Sequence, residues 1–196
     1  QPLFADKKRE GVRFTAPGAG KVAAIHRGEQ RALLSVVIDL SEGEQAGDPP
    51  PGEFAEFASF SGKPPAQLEP AAIEALLVES GLWTAFRARP FGKTAIPGKR
   101  PKAMFVTAID TNPLAPDLSK IVSAMAEAFR VGLECVAKLS GGKTYLCKAP
   151  GWDAPVPASS EIQVEEFDGP HPAGLPGTHI HALAPAGRER EVWHIG

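Results

Sequence analysis

Ala103-Met-Phe-Val-Thr-Ala-Ile109 is the stretch that decides the fold. A short apolar run of this kind, with β-branched and aromatic side chains on both registers, reads as a central strand buried on both faces. Downstream, Leu118, Ile121, Val122, Met125, Phe129, Leu133, Val136 and Leu139 recur at intervals of three and four, the spacing of one long helix. Asp117 stands as its cap and Ser140-Gly141-Gly142 closes it. Thr144-Tyr-Leu-Cys147 is the next strand and Ile162–Phe167 another. Strand, helix, strand in that order predicts a right-handed βαβ crossover and a parallel sheet. Upstream, Glu69-Pro70 opens a helix with proline in its first turn, and Ile73, Leu76 and Leu77 share a face until Gly81 ends it. Trp193-His194-Ile195 reads as a further strand. Residues 67–196 are therefore expected to form an α/β domain.

The first 41 residues have a different period. Arg13-Phe14-Thr15, Lys21-Val-Ala-Ala-Ile25 and Leu33-Leu-Ser-Val-Val-Ile38 are short runs separated by Pro-Gly and His-Arg-Gly turns, which predicts a small β barrel or sandwich over residues 1–41. Residues 42–66 turn acidic and Pro/Gly-rich around Asp48-Pro-Pro-Pro-Gly52. They read as a linker, or as a loop packed on the next domain through Phe54, Phe57 and Phe60. With 20 glycines and 20 prolines among 196 residues, many turns of fixed shape are expected.

The net charge of −2 offers no basic field for nucleic acid. No apolar run approaches the roughly 20 residues needed to span a bilayer, so a membrane link would go through a partner. Cys135 and Cys147 lie among apolar residues and are expected as buried free thiols in a reducing compartment. No C-x-x-C is present, which argues against a zinc ribbon or a cysteine-ligated cluster.

The chemistry concentrates in Glu79-Ser-Gly-Leu-Trp-Thr-Ala-Phe-Arg-Ala-Arg-Pro-Phe-Gly-Lys93, between the first helix and the central strand. Three aromatics (Trp83, Phe86, Phe91) and three cations (Arg87, Arg89, Lys93) suit a planar, mostly apolar ligand with carbonyl oxygens, such as a quinone. The alternative is a surface loop whose rings plug into a neighbouring layer. Gly169-Pro-His-Pro-Ala-Gly-Leu-Pro-Gly177 is a second rigid loop, expected at the same sheet edge, and offers His171, Gly174 and, just beyond it, His179. On a strand His179 and His181 would face one side and could share a metal, but no acidic residue is evidently placed with them, and no metal site is assigned. Gly18-Ala-Gly-Lys-Val-Ala23 leads into a strand, not a helix, and Gly142-Lys143-Thr144 ends a helix, so neither is a phosphate-binding loop.

Several segments together resemble the A subunits of the Na⁺-translocating NADH:quinone reductases: Phe4-Ala-Asp-Lys-Lys8, Gly11-Val-Arg-Phe-Thr15, Glu79 to Arg87, Arg89-Pro-Phe91, Phe105-Val-Thr-Ala108, Asp110-Thr-Asn-Pro-Leu114, Asp168 to Leu175 and Gly177-Thr-His179. The resemblance implies a fragment lacking the family's first residues and its C-terminal part. It implies a partial biotinyl/lipoyl-like barrel-sandwich over residues 1–41 and a C-terminally truncated, Rossmann-like α/β domain over 67–196. That domain is similar to the flavin-binding domain of the NADH-oxidising subunit of respiratory complex I. Ser80-Gly81-Leu82 fits that relative's motif, but Trp83 to Phe91 replaces its glycines and Asp110-Thr-Asn-Pro113 replaces its acidic cluster, so a degenerate nucleotide site is expected.

The family's activity implies a peripheral location, on the cytoplasmic face of the bacterial inner membrane, within a complex that passes electrons from NADH to ubiquinone and exports Na⁺. It implies no cofactor on this subunit, with FMN, FAD, riboflavin and iron–sulfur in the others. The chief partner it implies is a quinone-reducing membrane subunit. Two functional readings follow: a contribution to ubiquinone binding and complex assembly, and a purely structural assembly role with no ligand of its own.

Overall fold

In the computed structural model, which describes residues 1–158 and 161–196, the chain opens with two separate antiparallel strand pairs. β1 (Pro2–Ala5) pairs with β2 (Arg13–Thr15), and β3 (Gly20–Arg27) forms a hairpin with β4 (Leu33–Leu40). Phe4 and Phe14 stack at 4.6 Å, Val12 is buried against the following domain, and the Thr15 hydroxyl donates to the Ser80 carbonyl at 2.9 Å. The hairpin leaves Val22, Ile25, Leu34 and Val37 exposed.

The segment after the hairpin holds one short helix, α1 (Glu42–Ala46), capped by Ser41 and closed by Gly47 in the left-handed region. Its phenylalanines do not plug into the next domain: Phe54 and Phe60 are two-thirds exposed and Phe57 over a third. Polar groups hold the segment instead. The Glu79 carboxylate accepts from the Ala58 and Ser59 amides and from the Ser59 hydroxyl, and these bonds, the hydroxyl's first, lower its pKa. The Lys138 ammonium donates to the carbonyls of Pro65, Ala66 and Leu68 at 2.6–3.1 Å.

The α/β part follows in the order α2 (Pro70–Ser80), β5 (Arg87–Arg89), β6 (Lys93–Thr94), β7 (Ala103–Ala108), α3 (Leu118–Ala124), α4 (Ala126–Leu139), β8 (Lys143–Lys148), β9 (Ile162–Glu166), α5 (Pro176–Leu183) and β10 (Val192–Ile195). Six strands form one sheet ordered β6-β5-β10-β7-β8-β9. β10, β7, β8 and β9 run parallel, while β5 and β6 add an antiparallel edge. The last strand is thus inserted between β5 and the central strand. Both faces of β7 are covered, as its composition requires. Met104 joins Ile73, Trp83, Phe86, Leu139 and Trp193 in the core beneath α2 and α4. Ala103 and Phe105 face the opposite way, onto Ile180 of α5 and Ala184 just past its end.

The single long helix expected over 118–139 is two. Met125 leaves helical geometry (φ −125°, ψ 36°) between α3 and α4, and Ile121 and Met125 face solvent while Leu133, Ala137 and Leu139 meet the core. The apolar repeat therefore spans a break, because only its second half is packed on the sheet. Among the described residues no helix is long and apolar enough to cross a membrane.

Candidate functional site

The aromatic–basic segment divides into an inward and an outward half. After Gly81 a single 3₁₀ turn, Leu82–Ala85, swings Trp83 inward, and the extended chain from Phe86 through β5 then alternates Phe86 in, Arg87 out, Ala88 in and Arg89 out. Trp83 is fully buried, its indole N–H donating to the Ala95 carbonyl at 2.9 Å. Phe86 is 1% exposed and meets Trp83 edge-on at 5.2 Å and Trp193 at 6.1 Å. These rings are core plugs. Trp83 and Phe86 thus follow the alternative reading of the segment, packed against each other and Trp193 and closed to solvent, so neither offers a ring face to a planar ligand.

Arg87, Arg89, Phe91 and Lys93 remain accessible. The Arg87 guanidinium is held by the Thr84 carbonyl and the Thr94 hydroxyl, both at 3.0 Å. Phe91 is 80% exposed at the tip of the β5–β6 turn, with the Lys93 ammonium 6.0 Å from its ring centroid. Arg89 is half-buried and opens onto a cavity of about 230 Å³ between β5 and α5. Pro90, Ile180, Pro185 and Ala186 give this cavity an apolar wall, and Arg89 and His181 supply its polar side chains. Gly177, in the first turn of α5, lies against the guanidinium: a Cβ there would come 3.2 Å from Arg89 Nη2, a tight contact that a small shift of that side chain would relieve. Across the β5–β10 register Arg87 lies beside His194. Burial, then the charges of Arg89 and Arg87, hold the His194 imidazole down to about 4, so it is neutral at pH 7.

The second loop is placed differently from expectation. β5 runs against β10, so Arg89 and the Pro90–Gly92 turn lie at the edge where the parallel strands begin. The loop after β9 leaves from the edge where they end. The two do not share an edge; α5 crosses between them and brings Gly177 to Arg89. His171 is exposed, its Nδ1 3.3 Å from the Thr111 hydroxyl, which accepts the Gly174 amide at 2.9 Å. A Cβ on Gly174 would lie 2.6 Å from the Thr111 amide nitrogen, so only glycine fits there. His179 and His181 sit on a helix, not a strand, and point apart. His179 is fully buried, its Nε2–H donating to the Ala173 carbonyl at 2.8 Å and its ring 4.2 Å from Phe167. Burial lowers its pKa. It braces the loop, whereas the exposed His181 reaches the Arg89 cavity. Proline at the first helical position, Pro176, with Ile180 and Leu183 behind it, is the signal that would have placed His181 on a helix facing β5. Among the described residues no three His, Cys, Asp or Glu side chains converge as a metal site.

A larger cavity, about 300 Å³, lies where β7 and β8 end, the customary ligand crevice of an α/β sheet. Its charged side chains are Asp110 and Asp117. Each carboxylate accepts hydrogen bonds from its own loop, Asp110 from Asn112 and Asp117 from Ser119. The latter lower the pKa of Asp117. This anionic lining repels phosphate and electron-rich oxygen alike.

Residues 1–41 match the NqrA N-terminal barrel-sandwich hybrid domain and residues 68–196 the NqrA second alpha/beta domain. The whole chain aligns with the A subunits of the Na(+)-translocating NADH-quinone reductases of Yersinia pseudotuberculosis serotype O:1b (45% identity over 196 residues), Pseudomonas aeruginosa PAO1 (48% over 195) and Cellvibrio japonicus (47% over 196). It spans 42, 41 and 42% of the lengths of these relatives. On this agreement over both parts, the chain belongs to the NqrA family, the A subunits of the Na(+)-translocating NADH-quinone reductases.

Proposed function

We propose that this chain is the part of a peripheral subunit that helps bind the head group of ubiquinone, in a complex that carries electrons from NADH to quinone and exports Na⁺ across the bacterial inner membrane. One observation carries the reading: the Arg89 guanidinium and His181 line an open cavity that also has an apolar wall of Pro90, Ile180, Pro185 and Ala186. The flat apolar ring would lie on that wall, and Arg89 would donate to a carbonyl oxygen. A fixed cation there favours the more electron-rich, reduced form. Arg87 adds to the positive field, and the neutral His194 does not compete for the oxygen. Phe91 and Lys93 follow Arg89 and Pro90 in the same turn, where they would meet the ligand's approach.

The chain itself holds no nucleotide in this reading, because carboxylates stand where a phosphate would approach at the other cavity. Flavins and iron–sulfur chemistry belong to other subunits, and the quinone-reducing membrane subunit is the principal partner on the cytoplasmic side. Trp83 and Phe86 serve the site by stiffening the base of β5.

The test is titration with a short-chain ubiquinone. Arg89→Ala should weaken binding about tenfold or more, the value of a charge-assisted hydrogen bond, with the denaturation midpoint unchanged. Equal affinity in variant and parent would remove Arg89 from the site. The assembly reading is favoured by a separate observation, the exposed apolar side chains Val22, Ile25, Leu34 and Val37 on the β3–β4 hairpin. Loss of complex assembly on charging that hairpin, with quinone affinity intact, would support it.

A further inference from the structure

The two edges of the sheet carry opposite charge. At the edge where the parallel strands begin, Lys102 immediately precedes β7, with its amide donating to the Glu191 carbonyl at 2.9 Å, and Lys143 opens β8. Arg188 and Arg190 occupy the turn that leads into β10, closed by the Gly187 amide on the Arg190 carbonyl at 3.0 Å. Lys93 and Arg89 lie at the same edge through the β5–β6 turn. Against these six cations stand Glu161, Glu189 and Glu191, the last engaged by the Trp193 indole at 2.8 Å. At the opposite edge the balance reverses: Asp110, Asp117, Glu166 and Asp168 outnumber Lys120 and Lys148, and Lys148 is paired with Glu166. With a net charge of −2 for the chain, this polarity comes from placement, not composition.

Phe91 stands at the tip of the basic edge, four-fifths exposed, with Lys93 beside it. A bare aromatic ring among cations is matched by a surface that is apolar just beneath a layer of negative charge. A bilayer with anionic head groups has that profile. It yields to a protruding ring, whereas an acidic protein segment answers the charges and leaves the ring without a partner.

We propose that the edge of the sheet where the parallel strands begin rests on an anionic lipid surface, with Phe91 inserted among the head groups and Arg188, Arg190, Lys93 and Lys102 over the phosphates. Resting partly on the quinone reading, this orientation also gives the Arg89 cavity its use. Its Pro90, Pro185 and Ala186 wall lies at the same edge, so its mouth faces the membrane in which an apolar quinone dissolves.

The test is flotation of the chain with quinone-free vesicles of phosphatidylcholine alone and of phosphatidylcholine mixed equally with phosphatidylglycerol. Binding to the mixed vesicles only, weakening as salt rises, is expected. Arg188→Glu combined with Arg190→Glu should lower the partition coefficient at least about tenfold, since each cation near such a surface contributes about fivefold. Phe91→Ala should lower it about fivefold, from loss of the buried ring. These side chains are exposed, so the fold is retained. Absence of binding to the mixed vesicles, or binding that neither variant alters, would overturn the proposal. So would normal vesicle binding by variants that no longer associate with the partner subunits in detergent, which would make this edge a protein interface. Because no quinone is present, failure here leaves the Arg89 titration standing on its own.

Discussion

Replacing Phe86 and Phe91 separately by alanine distinguishes the inward from the outward half of the site segment. Phe86 is 1% exposed and packs against Trp83 and Trp193, so its truncation leaves a cavity the surrounding rings cannot fill. A buried Phe→Ala change costs about 3–5 kcal/mol. In a chain of this size each kcal/mol lowers the melting temperature by about 2–4 °C, so a loss of about 10 °C is expected. Phe91 is 80% exposed, and Phe91→Ala should stay within about 0.5 kcal/mol of the parent. Urea denaturation followed by tryptophan fluorescence measures both, with Trp83 and Trp193 reporting from the cluster itself. Equal midpoints for Phe86→Ala and the parent would refute the assignment of the ring to the core, and with it the division of the segment.

Lys138→Met keeps the aliphatic stem but leaves the carbonyls of Pro65, Ala66 and Leu68 without their shared donor. It should cost about 2 kcal/mol and speed proteolytic cleavage between residues 47 and 66, and an unchanged digestion pattern would count against that tether. The His194 imidazole titrates near 4 in the fold and near 6.5 when unfolded, so the unfolded chain takes up the proton first. Its contribution is complete above pH 6.5 and is lost as pH falls toward 4, an acid destabilisation of about 2 kcal/mol after allowance for partial solvent screening. His194→Gln should flatten the stability profile in that window; the same slope in the variant would contradict the account. Burial raises the Cys135 thiol and pushes Cys147 up to about 12. A thiol reagent at neutral pH should therefore label Cys135 slowly and Cys147 only on unfolding, whereas prompt labelling of both would show that the core is open.

Much of the α/β part is legible in the sequence because its central elements are buried on two sides. The run at Ala103 and the repeat ending at Leu139 show their periods without help from their neighbours. The position of β10 is not legible, since an apolar run records that a strand is covered but not which strands flank it. Its insertion between β5 and β7 is what places His194 beside Arg87. The site is half legible. Composition picks out the segment, but a list of aromatics does not say which rings point inward. The alternation Phe86, Arg87, Ala88, Arg89 carries that information once the segment is read as a strand. His181 is misplaced because His-x-His suggests a strand, although Pro176 marks a helix start. Gly177 can be recognised only from the guanidinium that lies over it.

The measurement closest to the central claim is photo-crosslinking with an azido-substituted short-chain ubiquinone, followed by peptide mapping. The account predicts label on the peptides carrying Arg89–Phe91 and Gly177–Ala186, competed away by unlabelled quinone and reduced in Arg89→Ala. Competed label on Ala108–Ser119 or Ala149–Trp152, the carboxylate-lined cavity at the other edge, would contradict it.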